Sequence, residues 1–256
     1  MKIVGSDFDG TLTCGGIGEA KLAAIRRFRQ AGHKFGIISG RCVAFRETLL
    51  RQYPGLELDF FAAHNGGVIV DGEGALIRAA RCETVSAAEL TAYLLDFGCP
   101  YVHINGVMEE ACRYACVLRD PAVLPRHVDP ADVCLEADMP PFESFFMVSV
   151  QMETTAPAAE VVKAVAAAYG AHLNPIQNGV CVDIVPLGVH KGYGLSIVME
   201  HFGCAHDDVI AVGDNINDID MIKAFRSYAM ASGVEEVKAL ADGIVSDVTE
   251  LLEAEL

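Results

Sequence analysis

Two acidic side chains stand at the end of the first apolar run of the chain. Asp7 and Asp9 are two residues apart, and Gly10 follows them directly. Because glycine permits a tight turn that a Cβ would hinder, Asp9 can turn back over the same cavity as Asp7. One carboxylate could then act as a nucleophile while the other exchanges protons. A solvated Asp-Gly turn would give the same pattern in isolation.

A second acidic loop, at residues 213–218, also follows an apolar run. It adds carboxylate and amide oxygens at Asp214, Asn217 and Asp218. Mg²⁺ takes a few carboxylate oxygens and completes its shell with water or substrate phosphate, so Asp7 and Asp214 together would suit it. Helix capping by Asn217 or Asp218 explains part of the same loop.

Two further positions carry groups that can hold the oxygens of a phosphate. Ser39 and Gly40 follow another apolar run and precede a predicted helix, so a hydroxyl and backbone N–H groups can face an anion there. Lys191, near the start of a later helix, could add a cation. Each feature alone has an ordinary structural explanation, as a helix-capping serine or a surface lysine.

The elements that must position these residues are alternating strands and helices. Short apolar strands are predicted at residues 2–8, 34–38, 60–63 and 209–212. Helices are predicted at residues 19–31, 43–53 and 190–201. This alternation predicts an α/β fold with a Rossmann-like, doubly wound parallel sheet. Asp7, Ser39 and Asp214 would then share the carboxyl edge of the sheet, where ligands of such folds bind.

The middle of the chain follows a different pattern. Strands and helices no longer alternate simply, and five prolines interrupt residues 121–141. We therefore predict a discontinuous core at residues 1–81 and 188–256, with a smaller α+β cap domain inserted at residues 82–187.

Composition argues against several kinds of partner. The 256 residues hold 19 Lys and Arg against 35 Asp and Glu, a net charge of −16, which disfavours nucleic acid and anionic membrane surfaces. No secretory signal or membrane span is visible, and the nine scattered cysteines suit free thiols in a reducing compartment. We expect a cytoplasmic protein without nucleic-acid or membrane partners and assign no metal to sulfur; the sequence leaves the oligomeric state open.

Four motifs together resemble a known family. In order along the chain they are residues 7–12 (Asp-Phe-Asp-Gly-Thr-Leu), 39–41 (Ser-Gly-Arg), 191–192 (Lys-Gly) and 213–218 (Gly-Asp-Asn-Ile-Asn-Asp). They match the motifs of the haloacid dehalogenase (HAD) superfamily. The triplet Asn65-Gly66-Gly67 and the insertion between the second and third motifs make the chain similar to the Cof-type (IIB) branch.

The resemblance implies a Mg²⁺-dependent phosphatase that acts on small phosphorylated metabolites, with sugar phosphates as the leading class. Asp7 would take the phosphoryl group as an aspartyl-phosphate, and Asp9 would protonate the leaving oxygen and then activate water. Mg²⁺ would be held by the Asp7 side chain, the Asp9 backbone carbonyl and the Asp214 side chain. The phosphoryl oxygens would be held by Ser39, Gly40 and Lys191. Asp218 or Asn217 would support the metal site, and Thr11 is a further supporting residue.

Three other functions remain to be weighed. A phosphosugar mutase can use the same core and return the phosphoryl group to sugar. A non-catalytic phosphate-binding module is less favoured, because a pure binder does not need the second acid, Asp9. An acyl-phosphate signalling receiver is disfavoured by the large insertion, since receivers are compact single domains.

Overall fold

The computed structural model describes residues 1–125 and 128–256, which divide into two units. The core unit comprises Met1–Ala79 and Val189–Leu256, and the inserted unit comprises Ala80–Gly188. Each unit has its own β-sheet. Within the described residues, no helix combines the length and the apolar character that crossing a bilayer requires.

The first arm of the core unit supplies five strands and two helices. They are β1 (Ile3–Ser6), α1 (Glu19–Gln30), β2 (Lys34–Ile38), α2 (Phe45–Gln52), β3 (Phe60–Ala63), β4 (Val68–Asp71) and β5 (Leu76–Ala79). The buried residues of α1 fall at helical spacing, at Lys21, Ala24, Ile25 and Phe28. This spacing puts one face of the helix in the core.

The inserted unit is an antiparallel sheet with two helices. Its elements are α3 (Ala87–Asp96), β6 (Tyr101–Met108), β7 (Ala111–Leu118), β8 (Val133–Leu135), β9 (Ser144–Gln151), α4 (Thr155–Tyr169), β10 (Leu173–Asn178) and β11 (Cys181–Pro186). The strand order is β10-β11-β9-β6-β7-β8, and β7 and β8 form its parallel pair. Leu90 and Leu94 of α3 share an apolar core with Val161 of α4 and with Ile104 and Val148 of the sheet.

The second arm returns to the core unit. It supplies α5 (Lys191–Phe202), β12 (Val209–Gly213), α6 (Ile219–Ala224), β13 (Arg226–Met230), α7 (Glu235–Lys238), β14 (Gly243–Val245) and α8 (Val248–Ala254). The core sheet has the order β14-β13-β12-β1-β2-β3-β4-β5. Strands β14 to β3 are parallel, and β4 and β5 add an antiparallel edge. The predicted α/β fold with a parallel-sheet core is confirmed.

The position of β1 between β12 and β2 decides where the functional residues lie. Asp7, Ser39 and Asp214 follow these three neighbouring strands directly, at their carboxyl ends. Because the strands are parallel, these ends meet at one edge of the sheet. The two arms of the chain, far apart in sequence, therefore contribute to the same edge.

Candidate active site

The nucleophile candidate Asp7 is buried at the end of β1. Its backbone N–H donates to the Val212 carbonyl of β12 at 2.9 Å, which fixes the chain at this point. The Nζ of Lys191, itself 1% exposed, donates to Asp7 Oδ1 and to Asp218 Oδ1, both at 2.5 Å. A buried ammonium group thus joins carboxylates from both arms of the core unit.

The loop after β12 holds the other two acids of the site. Asp214 Oδ1 accepts a hydrogen bond from the Thr11 hydroxyl at 2.6 Å. Asp218 is fully buried, and its Oδ2 accepts from the backbone N–H groups of Asp214 at 2.8 Å and Asn215 at 3.0 Å. The N-cap of this turn is Asn215 rather than the expected Asn217 or Asp218, and Asp218 is its reciprocal capping partner through one carboxylate oxygen. The other oxygen of Asp218 accepts from Lys191.

The three carboxylates form one cluster. One oxygen from each of Asp7, Asp214 and Asp218 lies within 4.8 Å of the others. Burial raises the pKa of Asp7 well above its usual range; Lys191 opposes this shift, and the charges of Asp218 and Asp214 add to it. Burial also raises the pKa of Asp214. Three carboxylates carry more negative charge than the Lys191 ammonium balances, and carboxylate oxygens are the donors that Mg²⁺ prefers, so these residues fit that ion.

Lys191 is suited to remain a cation in this environment. Burial alone would lower the pKa of its ammonium, but the charges of Asp218 and Asp7 and their hydrogen bonds outweigh burial and raise it. A permanently charged group beside Asp7 can neutralise an incoming anion.

Gly10 is required by the packing of this cluster. Its φ is +89°, a conformation that L side chains rarely adopt, and a Cβ at this position would lie 2.4 Å from Asp214 Oδ2. The turn expected after Asp9 is therefore also the surface against which the Asp214 carboxylate rests.

A second pair of glycines places the start of α5. A Cβ on Gly194 would lie 2.6 Å from the Cα of Gly66, and a Cβ on Gly66 would lie 2.8 Å from the His190 carbonyl oxygen. The first turn of α5 can therefore press against the turn that precedes β4. This close backbone contact is a physical reason for the Asn65-Gly66-Gly67 triplet, and it sets the position of Lys191 on α5.

Asp9 is placed differently from Asp7. Within the described part of the chain it is not a member of the carboxylate cluster, and its side chain is 53% exposed. It is held by Arg41, whose Nε and Nη2 donate to the two carboxylate oxygens, each at 2.8 Å. The hydrogen bonds that Arg41 donates to Asp9 raise the pKa of its guanidinium.

The remaining predicted residues lie at or near the same edge of the sheet. Ser39 is buried, and its Oγ accepts from the backbone N–H of Arg41 at 3.2 Å. Gly40 stands between them, and Asn217 is buried in the loop next to Asp218. The structure thus joins Asp7, Thr11, Lys191, Asp214 and Asp218 through direct contacts, with Ser39 and Gly40 following the adjacent strand β2.

Arg41 and Lys21 contact the segment at residues 9–14, and the sequence analysis assigns neither of them a role. In the sequence, Arg41 is the third residue of the motif at residues 39–41. Lys21 is 3% exposed and donates from Nζ to the carbonyls of Leu12 at 2.8 Å and Cys14 at 2.7 Å, with Asp247 at 3.0 Å. The position of Lys21 among the apolar residues of α1 indicates a buried ammonium group, and such a group needs buried acceptors.

Comparison with known proteins identifies the family of the chain. The sequence profile of a family described as haloacid dehalogenase-like hydrolase matches residues 4–251. A solved HAD subclass IIB sugar phosphatase superposes with a TM-score of 0.78 at 19% identity, covering 99% of this chain and 98% of that one. At this identity the superposition shows the fold. These matches confirm the predicted resemblance and the prediction of a hydrolytic enzyme.

Curated relatives match over shorter stretches. A phosphoglycolate phosphatase of Halobacterium salinarum is 30% identical over 89 residues, which are 34% of this chain and 39% of that protein. The chloroplastic endoribonuclease YBEY of Arabidopsis thaliana is 35% identical over 96 residues, 36% of this chain and 16% of that protein. The chain therefore spans well under half the length of either relative.

Proposed function

The chain belongs to the haloacid dehalogenase-like hydrolase family, and from that premise we propose that it is a Mg²⁺-dependent phosphatase of small phosphate monoesters, foremost sugar phosphates. The observation that carries this proposal is the buried Asp7 carboxylate, 2.5 Å from the Lys191 ammonium at the carboxyl edge of the sheet. The IIB sugar phosphatase and phosphoglycolate phosphatase named above support a phosphate monoester as substrate. The acidic net charge disfavours nucleic acid as a partner and leaves room for a small anion held at one local site, and a cytoplasmic location remains a prediction.

In the first step an oxygen of Asp7 attacks phosphorus and forms an acyl phosphate. The bond between phosphorus and the ester oxygen breaks, and that oxygen takes a proton from Asp9 as it leaves. Phosphoryl transfer depends mainly on position and on neutralising the phosphoryl oxygens. The Lys191 ammonium, the Ser39 hydroxyl and the Gly40 N–H are the groups we assign to those oxygens.

In the second step water removes the phosphoryl group from Asp7. The Asp9 carboxylate, now deprotonated, takes a proton from a water molecule while the oxygen of that water bonds to phosphorus. The bond between phosphorus and Asp7 breaks, phosphate leaves, and both carboxyl groups return to their starting states.

The metal site we assign consists of the side chains of Asp7 and Asp214 and the backbone carbonyl of Asp9. Thr11 and Asp218 contact Asp214 directly, and we assign Asn217 a supporting role beside Asp218. When bound there, Mg²⁺ would neutralise charge on the phosphate and so lower the repulsion that the Asp7 carboxylate meets.

The test is phosphate release from a panel of sugar phosphates, nucleotides and other monoesters, with and without Mg²⁺. We expect Mg²⁺-dependent release, greatest for a sugar phosphate, that is lost in Asp7→Asn. Asp207→Asn is the matched control, since that side chain is fully exposed. Isomerised sugar phosphate without phosphate release would identify a mutase instead. Binding of phosphate without turnover of any ester would favour a non-catalytic module.

A further inference from the structure

The pairing of Arg41 with Asp9 joins two loops at the carboxyl edge of the sheet. Asp9 follows β1 and Arg41 follows β2, and the guanidinium Nε and Nη2 of Arg41 donate to the two carboxylate oxygens of Asp9. A bidentate pair of this kind fixes direction as well as distance, because two parallel hydrogen bonds remove the freedom to rotate. The Asp9 side chain is therefore held in a defined place although half of its surface is exposed.

The guanidinium group is itself braced by two aromatic rings. Its central carbon lies 4.4 Å from the centroid of Phe45, the first residue of α2, and 5.7 Å from that of Phe8. The two rings meet edge to face at 5.2 Å. Arginine is well suited to such a position because its planar group can stack on a ring while it donates in the plane.

This arrangement contributes little to folding. Both partners of the ion pair are about half exposed, with side-chain exposures of 46% for Arg41 and 53% for Asp9. Exposed ion pairs have small effects on stability because water screens them and side-chain entropy opposes them. A role for Arg41 therefore has to be sought in where it holds the Asp9 carboxylate.

We propose that Arg41 is a positioning residue that holds Asp9 for its proton exchanges. This inference rests on the proposed function, in which Asp9 gives a proton to the leaving oxygen and later takes one from water. Arg41 contacts the Asp9 carboxylate and is assigned no contact with phosphorus, with the ester oxygen or with the attacking water, so it acts through Asp9. The rings of Phe45 and Phe8 pack against the guanidinium and limit its movement.

The two chemical steps depend on Asp9 to different degrees, and this makes the role measurable. With 4-nitrophenyl phosphate the phenolate leaves without needing a proton, so the first step does not use Asp9. Hydrolysis of the phosphoryl-Asp7 group needs Asp9 with every substrate. With an alkyl phosphate such as glucose 6-phosphate both steps need it.

The experiment is rapid-mixing kinetics of nitrophenolate and phosphate release with Mg²⁺, for the wild type, Asp9→Asn, Arg41→Gln and the double variant. For Arg41→Gln we expect the rate of nitrophenolate release in the first turnover to stay within about twofold of wild type, and the steady-state rate to fall roughly 10- to 100-fold. Nitrophenolate should therefore appear as a burst of one equivalent per enzyme molecule. Glucose 6-phosphate hydrolysis should slow in both steps, and the double variant should match Asp9→Asn within about twofold.

Three comparisons separate positioning from other effects. Arg41→Lys should not restore the steady state, because an ammonium cannot pair with both oxygens or stack as a guanidinium does. Arg51→Gln, on the same helix α2 as Phe45 and exposed, should match wild type throughout. The thermal unfolding midpoint of Arg41→Gln should stay within about 2 °C of wild type.

Two results would overturn the inference about Arg41 and leave the proposed function intact. One is a nitrophenolate burst that slows as much as the steady state in Arg41→Gln, which would mean that Arg41 acts on the substrate or on Asp7. The other is an Arg41→Gln variant that matches wild type with both substrates while Asp9→Asn is impaired. The proposed function fails in a different way, when wild-type protein releases no phosphate or Asp7→Asn remains active, and the inference then falls with it.

Discussion

Substitution of Gly10 by alanine should displace Asp214 and disable the site. The added Cβ would lie 2.4 Å from Asp214 Oδ2, and ordinary contacts begin at 3.4 Å, so the carboxylate must move by about 1 Å. A misplacement of this size costs about a hundredfold in rate. The positive φ adds strain of about 2 kcal/mol to the folded state.

Gly32→Ala is the matched control for this prediction. Its φ is +90°, against +89° for Gly10, but a Cβ there meets nothing within 4 Å. Both variants should therefore lose similar stability in urea unfolding, whereas the loss of kcat and of Mg²⁺ affinity should occur in Gly10→Ala. Equal activity of the two variants would refute the argument that Asp214 rests against Gly10. A lost activity that is fully explained by unfolding of Gly10→Ala at the assay temperature would also refute it.

Two further predictions concern residues outside the carboxylate cluster. Burial raises the pKa of Asp59, but hydrogen bonds, led by the one from Arg29, lower it by more, so the pKa in the folded protein is below its usual value. The ionised carboxylate therefore stabilises the fold at pH values above the unfolded pKa of about 3.9. This stabilisation is lost as the pH falls through the lower pKa of the folded state. Asp59→Asn should cost about 2 kcal/mol in urea unfolding at pH 7 and almost nothing in strong acid, and an equal deficit at both pH values would contradict this. Lys21→Met leaves buried carbonyls, including that of Leu12, without a donor, and should cost about 3 kcal/mol and slow phosphate release. Lys223→Met, at an exposed position, is its control. An equal free energy of unfolding for the two variants would show that the hydrogen bonds of Lys21 do not contribute to stability.

The parallel part of the fold could be predicted because its strands are short apolar runs that end at polar residues. β1, β2 and β12 each have this pattern, which predicts that Asp7, Ser39 and Asp214 lie at one edge of the sheet. The edge strands β5 and β10 escaped prediction, since an edge strand is packed on fewer sides and carries a weaker apolar pattern.

The partners of the site residues could not be predicted from sequence. Lys191 and Asp218 are 27 positions apart, and Asp9 and Arg41 are 32 apart, so no local periodicity relates them. Their meeting depends on the order of strands in the sheet and on the Gly66–Gly194 contact that seats α5. The division between the two units also depends on packing; the structure separates them after Ala79 and after Gly188, against the expected limits at 81 and 187.

The central claim is that Asp7 carries the phosphoryl group during turnover. The most direct measurement is mass spectrometry of peptides from Asp9→Asn protein, quenched in acid during reaction with 4-nitrophenyl phosphate and Mg²⁺, because this variant should form the acyl phosphate and hydrolyse it slowly. We predict one phosphoryl group on the peptide that contains Asp7, located on that residue by fragmentation and absent from Asp7→Asn. Phosphate release by wild-type protein with Asp7 unmodified in the quenched variant would contradict the account.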